Sequence, residues 1–255
     1  MGRLVLVERV GSIVLLTLNR PERHNSLVPA LLEGMLEALD KIRGDTTVRA
    51  VVLGANGPSF STGGDLLGFY EEQHGLEAYA HSIVSLLNQV IMALVELPVP
   101  ILAAVHGLVT GGSLGLVLGC DVVLVAPGAS FTPYYSVVGF SPDGGWTVML
   151  PAIIGPKRAA EVLMRNQTIT AEQAVVWGLA SRVVPTEGID EEALNVAREI
   201  SAGKTGSIRR IKRLVNPSGD DLAARLEAER SQFVKQVATQ EAREGVEAFL
   251  NRRRS

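Results

Sequence analysis

Two short apolar runs, Ala50 to Leu53 and Ile101 to Val105, each give way to a loop rich in glycine. The first loop contains Phe60-Ser61-Thr62-Gly63-Gly64-Asp65-Leu66, and the second is His106-Gly107-Leu108-Val109-Thr110-Gly111-Gly112-Ser113. Glycine lets a backbone approach a ligand closely and adopt positive φ. Where such a loop opens a helix, its unpaired N–H groups point outward and the helix dipole favours negative charge. Two loops of this kind at the ends of neighbouring strands can converge on one developing oxyanion, or they can be tight turns and nothing more. Neither carries the G-x-x-x-x-G-K-[ST] phosphate signature, and no G-x-G-x-x-G is followed by the acidic residue of a dinucleotide fold.

The rest of the chain supplies the scaffold. Leu4 to Val7 and Ile13 to Leu18 read as a hairpin about Gly11-Ser12. A helix begins near Pro29, with Gly44 as its stop, and a second runs through Ile83, Leu87, Val90 and Leu94 until Pro98 and Pro100 end it. Asp121 to Ala126 is a further strand, Thr170 caps a helix that stops at Gly178, and the last fifty residues hold three more helices. Strands alternating with helices, then helices alone, predict an α/β fold with parallel pairing. We read one functional domain, with a core over 1–195 and a helical extension over 196–255.

Nearly half of the 255 residues are apolar, enough for a large core. A net charge of −3 argues against a nucleic-acid partner, which asks for a basic face. The single cysteine, Cys120, lies in an apolar run and reads as core. So do Met92, Met149 and Met164. The stretch Ile83 to Leu97 is too short and too interrupted by Asn88, Gln89 and Glu96 to span a bilayer, and the N-terminus lacks a signal-peptide layout. The expectation is a soluble cytoplasmic protein with no membrane partner. His24, His74, His81 and His106 show no metal-ligand spacing, so no metal is expected. Arg209, Arg210, Lys212 and Arg213 read as one solvated helix face.

Ordered motifs extend along the whole chain: Asn19-Arg20-Pro21 with Asn25-Ser26, the two glycine loops, Cys120-Asp121, Gly139-Phe140-Ser141-Pro142-Asp143-Gly144-Gly145, Ala171 to Ala180, and Glu244 to Leu250. Together they resemble the crotonase (enoyl-CoA hydratase/isomerase) superfamily. The resemblance implies a spiral of ββα turns, a C-terminal helical trimerisation region, self-association as a trimer or hexamer, and an acyl-CoA thioester substrate. It implies no cofactor beyond the coenzyme A of that substrate. It assigns the oxyanion-hole N–H groups to Gly64 and Gly112, with Gly112 opening the helix that runs to Leu118. It also assigns CoA contacts to the loop from Arg20 to Ser26 (Arg23 and Asn25), to the backbone from Ser61 to Gly64 (Ser61, Gly63) and to the neighbouring Asp65. Phe249 and Arg252 would reach a neighbouring subunit's CoA, while Arg253 and Arg254 read as a solvated tail.

Hydratases of the family carry two glutamates, one to activate water and one to protonate the α-carbon. Gly115 and Tyr135 stand at those positions here. Asp143 remains, resembling the aspartate of isomerases and of the chlorobenzoyl-CoA dehalogenase branch. It is either the base of a one-carboxylate reaction or the organiser of a Pro-Asp-Gly-Gly turn. Asp65 is read mainly as a brace for its loop. Tyr134 and Tyr135 either donate to substrate or line its pocket, and Phe69, Tyr70 and Tyr79 are candidates to shape the acyl tunnel. Isomerisation through a thioester enolate is the leading expectation. Hydration, decarboxylation or hydrolysis of an acyl-CoA, and non-catalytic acyl-CoA binding, are the alternatives.

Overall fold

The structure, a computed structural model, describes residues 2–72, 75–215 and 220–252. The chain opens with a hairpin of β1 (Val5–Val10) and β2 (Ile13–Leu18), followed by α1 (Pro29–Gly44) and β3 (Ala50–Ala55). After the first glycine loop come α2 (Leu66–Glu71), α3 (Leu76–Glu96) and β4 (Ile101–Val105). The second loop holds β5 (Leu108–Thr110) and a 3-10 turn over Gly111–Ser113 that leads into α4 (Leu114–Leu118). Next are β6 (Val122–Val125), β7 (Ser130–Thr132), α5 (Tyr135–Val138), α6 (Leu150–Ile154), α7 (Pro156–Met164) and β8 (Ile169–Thr170). The chain then runs through α8 (Ala171–Val176), β9 (Arg182–Val183), α9 (Ile189–Ala202), α10 (Thr205–Val215), α11 (Asp220–Val237) and α12 (Gln240–Arg252).

Six strands form the main sheet in the order β1-β2-β3-β4-β6-β9, parallel except for the first hairpin. Its central strands are apolar at every position because both faces are covered. Alternation of side chains divides them between two cores. Val51, Leu53, Ile101, Ala103 and Val105 face the large core built with α1 and α3. Ala50, Val52, Leu102 and Ala104 face a smaller one closed by Ala193 and Ala197 of α9. A second sheet, β5-β7-β8, escapes the sequence pattern because its strands are two or three residues long.

Three readings need correction. The second long helix starts at Leu76, well before Ile83, and at 21 residues it is long and apolar enough to cross a membrane. It is instead a core helix, burying Val84, Leu87, Ile91 and Leu94 in the large core. Met164 is 80% exposed at the end of α7, while Met92 and Met149 pack against the core. Lys212 is not on a solvated face. It is the residue of α10 that points inward, where its Nζ pairs with Asp121 at 2.8 Å and donates to the carbonyls of Leu94 and Val99. Those carbonyls lie at and just beyond the C-terminal end of α3, where backbone acceptors outnumber donors. Cys120 packs against the large core, its thiol donating to the Leu116 carbonyl and pushed up in pKa by burial. His74, Arg253 and Arg254 lie outside the described residues.

The C-terminal helices share the main core through Leu226, Phe233 and Val237 of α11. The division between residues 195 and 196 falls inside α9, so we propose α10 to α12 as the helical extension.

Candidate active site

The two glycine loops are laced together. Ser61 and Val109 form a parallel bridge, the Thr110 N–H donates to the Ser61 carbonyl at 3.1 Å, and Ser113 Oγ donates to the same carbonyl at 2.9 Å. Gly63 sits at φ +73°, where a β-carbon would lie 2.6 Å from the Thr110 carbonyl oxygen, so only glycine allows this approach. Gly64 and Gly112 both line one cavity of about 370 Å³. Among the described residues, neither of their N–H groups donates to a protein acceptor. Gly112 lies in the 3-10 turn just ahead of α4, not in the helix itself.

Asp143 forms part of the same wall. A β-carbon placed on Gly112 would fall 2.9 Å from each of its carboxylate oxygens, so the carboxylate sits directly over that glycine. Its turn presses on the second glycine loop: a β-carbon on Gly144 (φ +63°) would lie 2.3 Å from the Gly112 carbonyl oxygen, and Trp146 Nε1 donates to the Gly111 carbonyl at 2.7 Å. Asp143 is 6% exposed, and burial raises its pKa to about 7. A hydrogen bond from the Tyr135 hydroxyl, 2.6 Å from Oδ1, pulls it down, and the charge of Glu229 pushes it up again. Tyr135 itself is buried, and burial together with the adjacent carboxylate holds its pKa well above the ordinary value.

Gly115, to which the resemblance assigns the first hydratase glutamate, is tightly packed. A β-carbon on Gly115 would lie 2.4 Å from Ile91 Cδ1 and 2.8 Å from the Gly144 carbonyl oxygen.

Of the residues singled out from sequence, Arg23, Gly63, Gly64, Asp65, Gly112, Tyr135, Asp143 and Phe249 come together around this cavity. Asp65 accepts from Arg20 at 2.9 Å and from Arg23 at 2.9 and 3.2 Å, and caps α2 through the Leu67 N–H. Burial raises its pKa, but hydrogen bonds and charge from the two arginines outweigh that and hold it below the ordinary value. Asn25 and Ser61 are fully buried and do not line the cavity. Asn25 ties its loop to the Asn56 and Ser59 carbonyls, and Ser61 Oγ donates to the Asn25 carbonyl. Both support the loops from behind. Phe249, expected to serve a neighbouring subunit, lines the cavity of its own chain, edge-on to Tyr134 at 5.6 Å. Arg252 is exposed at the end of α12 and stands outside the cavity.

Sequence reasoning overlooked much of the apolar wall. Ile83, Val84 and Leu87 of α3, with Phe140 and Phe233, complete it. Phe69 joins them, in contact with both Phe140 and Phe233, and Tyr79 stacks edge-on against it. Tyr70 is 41% exposed and takes no part. Glu229 was also missed, since one more glutamate in a charged helix gives no signal. Among the described residues, no group of three or more His, Cys, Asp or Glu side chains could hold a metal ion.

A spiral α/β fold with two converging glycine loops over an apolar cavity defines a class, and the comparisons place the chain within it. The enoyl-CoA hydratase/isomerase family model matches residues 8–255, and the chain belongs to this family. It is 32% identical to the 1,2-epoxyphenylacetyl-CoA isomerase of Escherichia coli over 243 residues, covering 94% of this chain and 93% of that protein. It is 31% identical to the 2,3-dehydroadipyl-CoA hydratase of the same organism, covering 98% and 96%. The structure of Pseudomonas aeruginosa OdaA superposes with a TM-score of 0.87 at 31% identity, covering 98% and 99%. The family carries acyl-CoA chemistry, and relatives at this distance include both isomerases and hydratases.

Proposed function

We propose that the protein is an acyl-CoA enzyme of the isomerase type, with Asp143 moving the α-proton of a thioester. The observation that carries this reading is the buried Asp143 carboxylate standing over Gly112 in the wall of the shared cavity. A carboxyl titrating near 7 is suited to take a proton and give it back. In the proposed cycle Asp143 removes the α-proton of a 3-enoyl thioester. The negative charge spreads onto the thioester oxygen, where the N–H groups of Gly64 and Gly112 receive it. The same carboxyl then returns the proton at the γ-carbon, leaving a 2-enoyl thioester. One base suffices, and the steps use only groups of this chain.

Gly115 supports this over two-glutamate hydration, because it carries no carboxylate to activate water and Ile91 and the Gly144 carbonyl pack against it. For CoA, we propose contacts from Arg23, Gly63 and Asp65 at the cavity mouth and from Phe249 on α12. Asn25 and Ser61 would act by holding the loops, and Arg252 would lie near a phosphate. Self-association as a trimer or hexamer is proposed from the exposed apolar residues Ile211, Leu214 and Val215 on α10, the extension that the family resemblance assigns to assembly.

The test is incubation with a saturated acyl-CoA and a 3-enoyl-CoA in D2O, followed by NMR. The expected result is α-deuteration and double-bond migration, lost by about 10²- to 10⁴-fold in Asp143→Asn with binding retained. Tight binding without exchange in the wild type would show a non-catalytic binder. Rapid formation of a 3-hydroxyacyl-CoA would establish hydration, and free CoA would establish hydrolysis.

A further inference from the structure

We propose that Glu229, reaching in from α11, is a positioning residue for Asp143, fixing the turn on which that carboxyl stands. The inference rests on the reading of Asp143 as the base. The turn runs Asp143-Gly144-Gly145-Trp146-Thr147, and its two glycines lie at φ +63° and +84°. Such a pair has little stiffness of its own. Glu229 supplies it. Its Oε2 accepts from the Gly145 N–H at 2.8 Å, and its Oε1 accepts from the Thr147 N–H at 2.8 Å and from the Thr147 hydroxyl at 2.5 Å. Both carboxylate oxygens are thus committed to one turn, and the side chain is 6% exposed. A carboxylate costs free energy to bury, and here it is held mainly by neutral donors that all belong to that turn.

The turn is fixed on its other side as well, through Trp146 to the Gly111 carbonyl. Glu229 therefore joins the C-terminal helices to the oxyanion loop through the turn that carries the base. Burial raises the pKa of Glu229, while the donors from Thr147 and Gly145 favour its charged form. That charge acts on Asp143 in the same direction as burial, against the hydrogen bond from Tyr135. The other groups facing this pair are Tyr135 on α5 and Arg225, one turn earlier on α11. From α3, packed along α11, His81 acts on Glu227 instead.

Three variants and two readouts test the proposal. The Asp143 carboxyl is titrated by infrared difference against Asp143→Asn, and α-proton exchange is followed against pH. In Glu229→Gln the Asp143 midpoint moves to lower pH, and kcat for exchange falls about ten- to a hundredfold while KM changes less than about twofold, the mark of a displaced reacting group. Thr147→Val keeps the Glu229 charge and removes one donor; it lowers kcat severalfold and leaves the Asp143 midpoint in place. A folded Glu229→Gln protein with unchanged kcat overturns the proposal, even if its midpoint moves. If Glu229→Gln does not fold, an unchanged kcat in Thr147→Val overturns it instead. Should Asp143→Asn retain exchange, the reading of Asp143 as base fails, yet the infrared midpoint still reports whether Glu229 acts on Asp143.

Discussion

The Tyr135 hydroxyl donates to Oδ1 of Asp143 across 2.6 Å, both groups buried, and the family resemblance assigns the second hydratase glutamate to this tyrosine's position. On that correspondence a neutral donor stands where the hydratases would carry an acid. The bond favours the ionised Asp143 carboxyl and opposes its desolvation. Tyr135→Phe should therefore raise the pKa of Asp143. The acid limb of the exchange rate moves to higher pH, with the plateau rate changed less than the midpoint. A pH–rate profile of α-deuteration checks this.

The same carboxyl sets a pH dependence of stability. Its folded pKa of about 7 stands above the ordinary carboxylate value, so the folded state holds a proton that the unfolded state releases. The contribution is complete below about pH 4 and is lost as pH rises through about 7. Asp143→Asn carries no such charge. In urea unfolding it should gain on the wild type from pH 4 to 7 and keep a constant advantage above.

Restoring a glutamate at position 115 should not restore hydration. The side chain would have to displace Ile91 and the Gly144 carbonyl. Gly115→Glu is expected to lose about 1–3 kcal/mol of stability by overpacking. It also disturbs the turn of Asp143, so exchange falls and no 3-hydroxyacyl-CoA appears by chromatography.

Lys212→Met keeps length but removes the cation from a pair whose side chains are 5% and 14% exposed. It deprives Asp121 of that charge and the Leu94 and Val99 carbonyls of a donor. Breaking a buried pair from one side costs about 3–5 kcal/mol. Urea unfolding should show that loss, with the exchange chemistry of the remaining folded protein unchanged.

What sequence could reveal depended on the range of the signal. The hairpin about Gly11, the helix from Pro29 to Gly44 and the strand from Ile101 to Val105 follow from local periodicity and stop signals, and they stand as expected. Thr170 announces its helix through a capping box with Gln173. The glycine loops and Asp143 are legible because their residue types are unusual in sequence. Glu229 and Lys212 are not. Each looks like one more charge on an amphipathic helix, and their meaning arises only when α11 meets a turn 82 to 84 residues away and α10 meets the end of α3. The sheet of β5, β7 and β8 is too short to show a period, and the aromatic wall is assembled from α2, α11 and the segment after α5.

The most direct measurement is a crystal structure with a slowly reacting acyl-CoA thioester bound. The account predicts the thioester oxygen about 2.7–3.1 Å from the nitrogens of both Gly64 and Gly112, with an Asp143 carboxylate oxygen beside the α-carbon. A thioester oxygen that meets only one of those nitrogens, or an α-carbon turned away from Asp143, would contradict it.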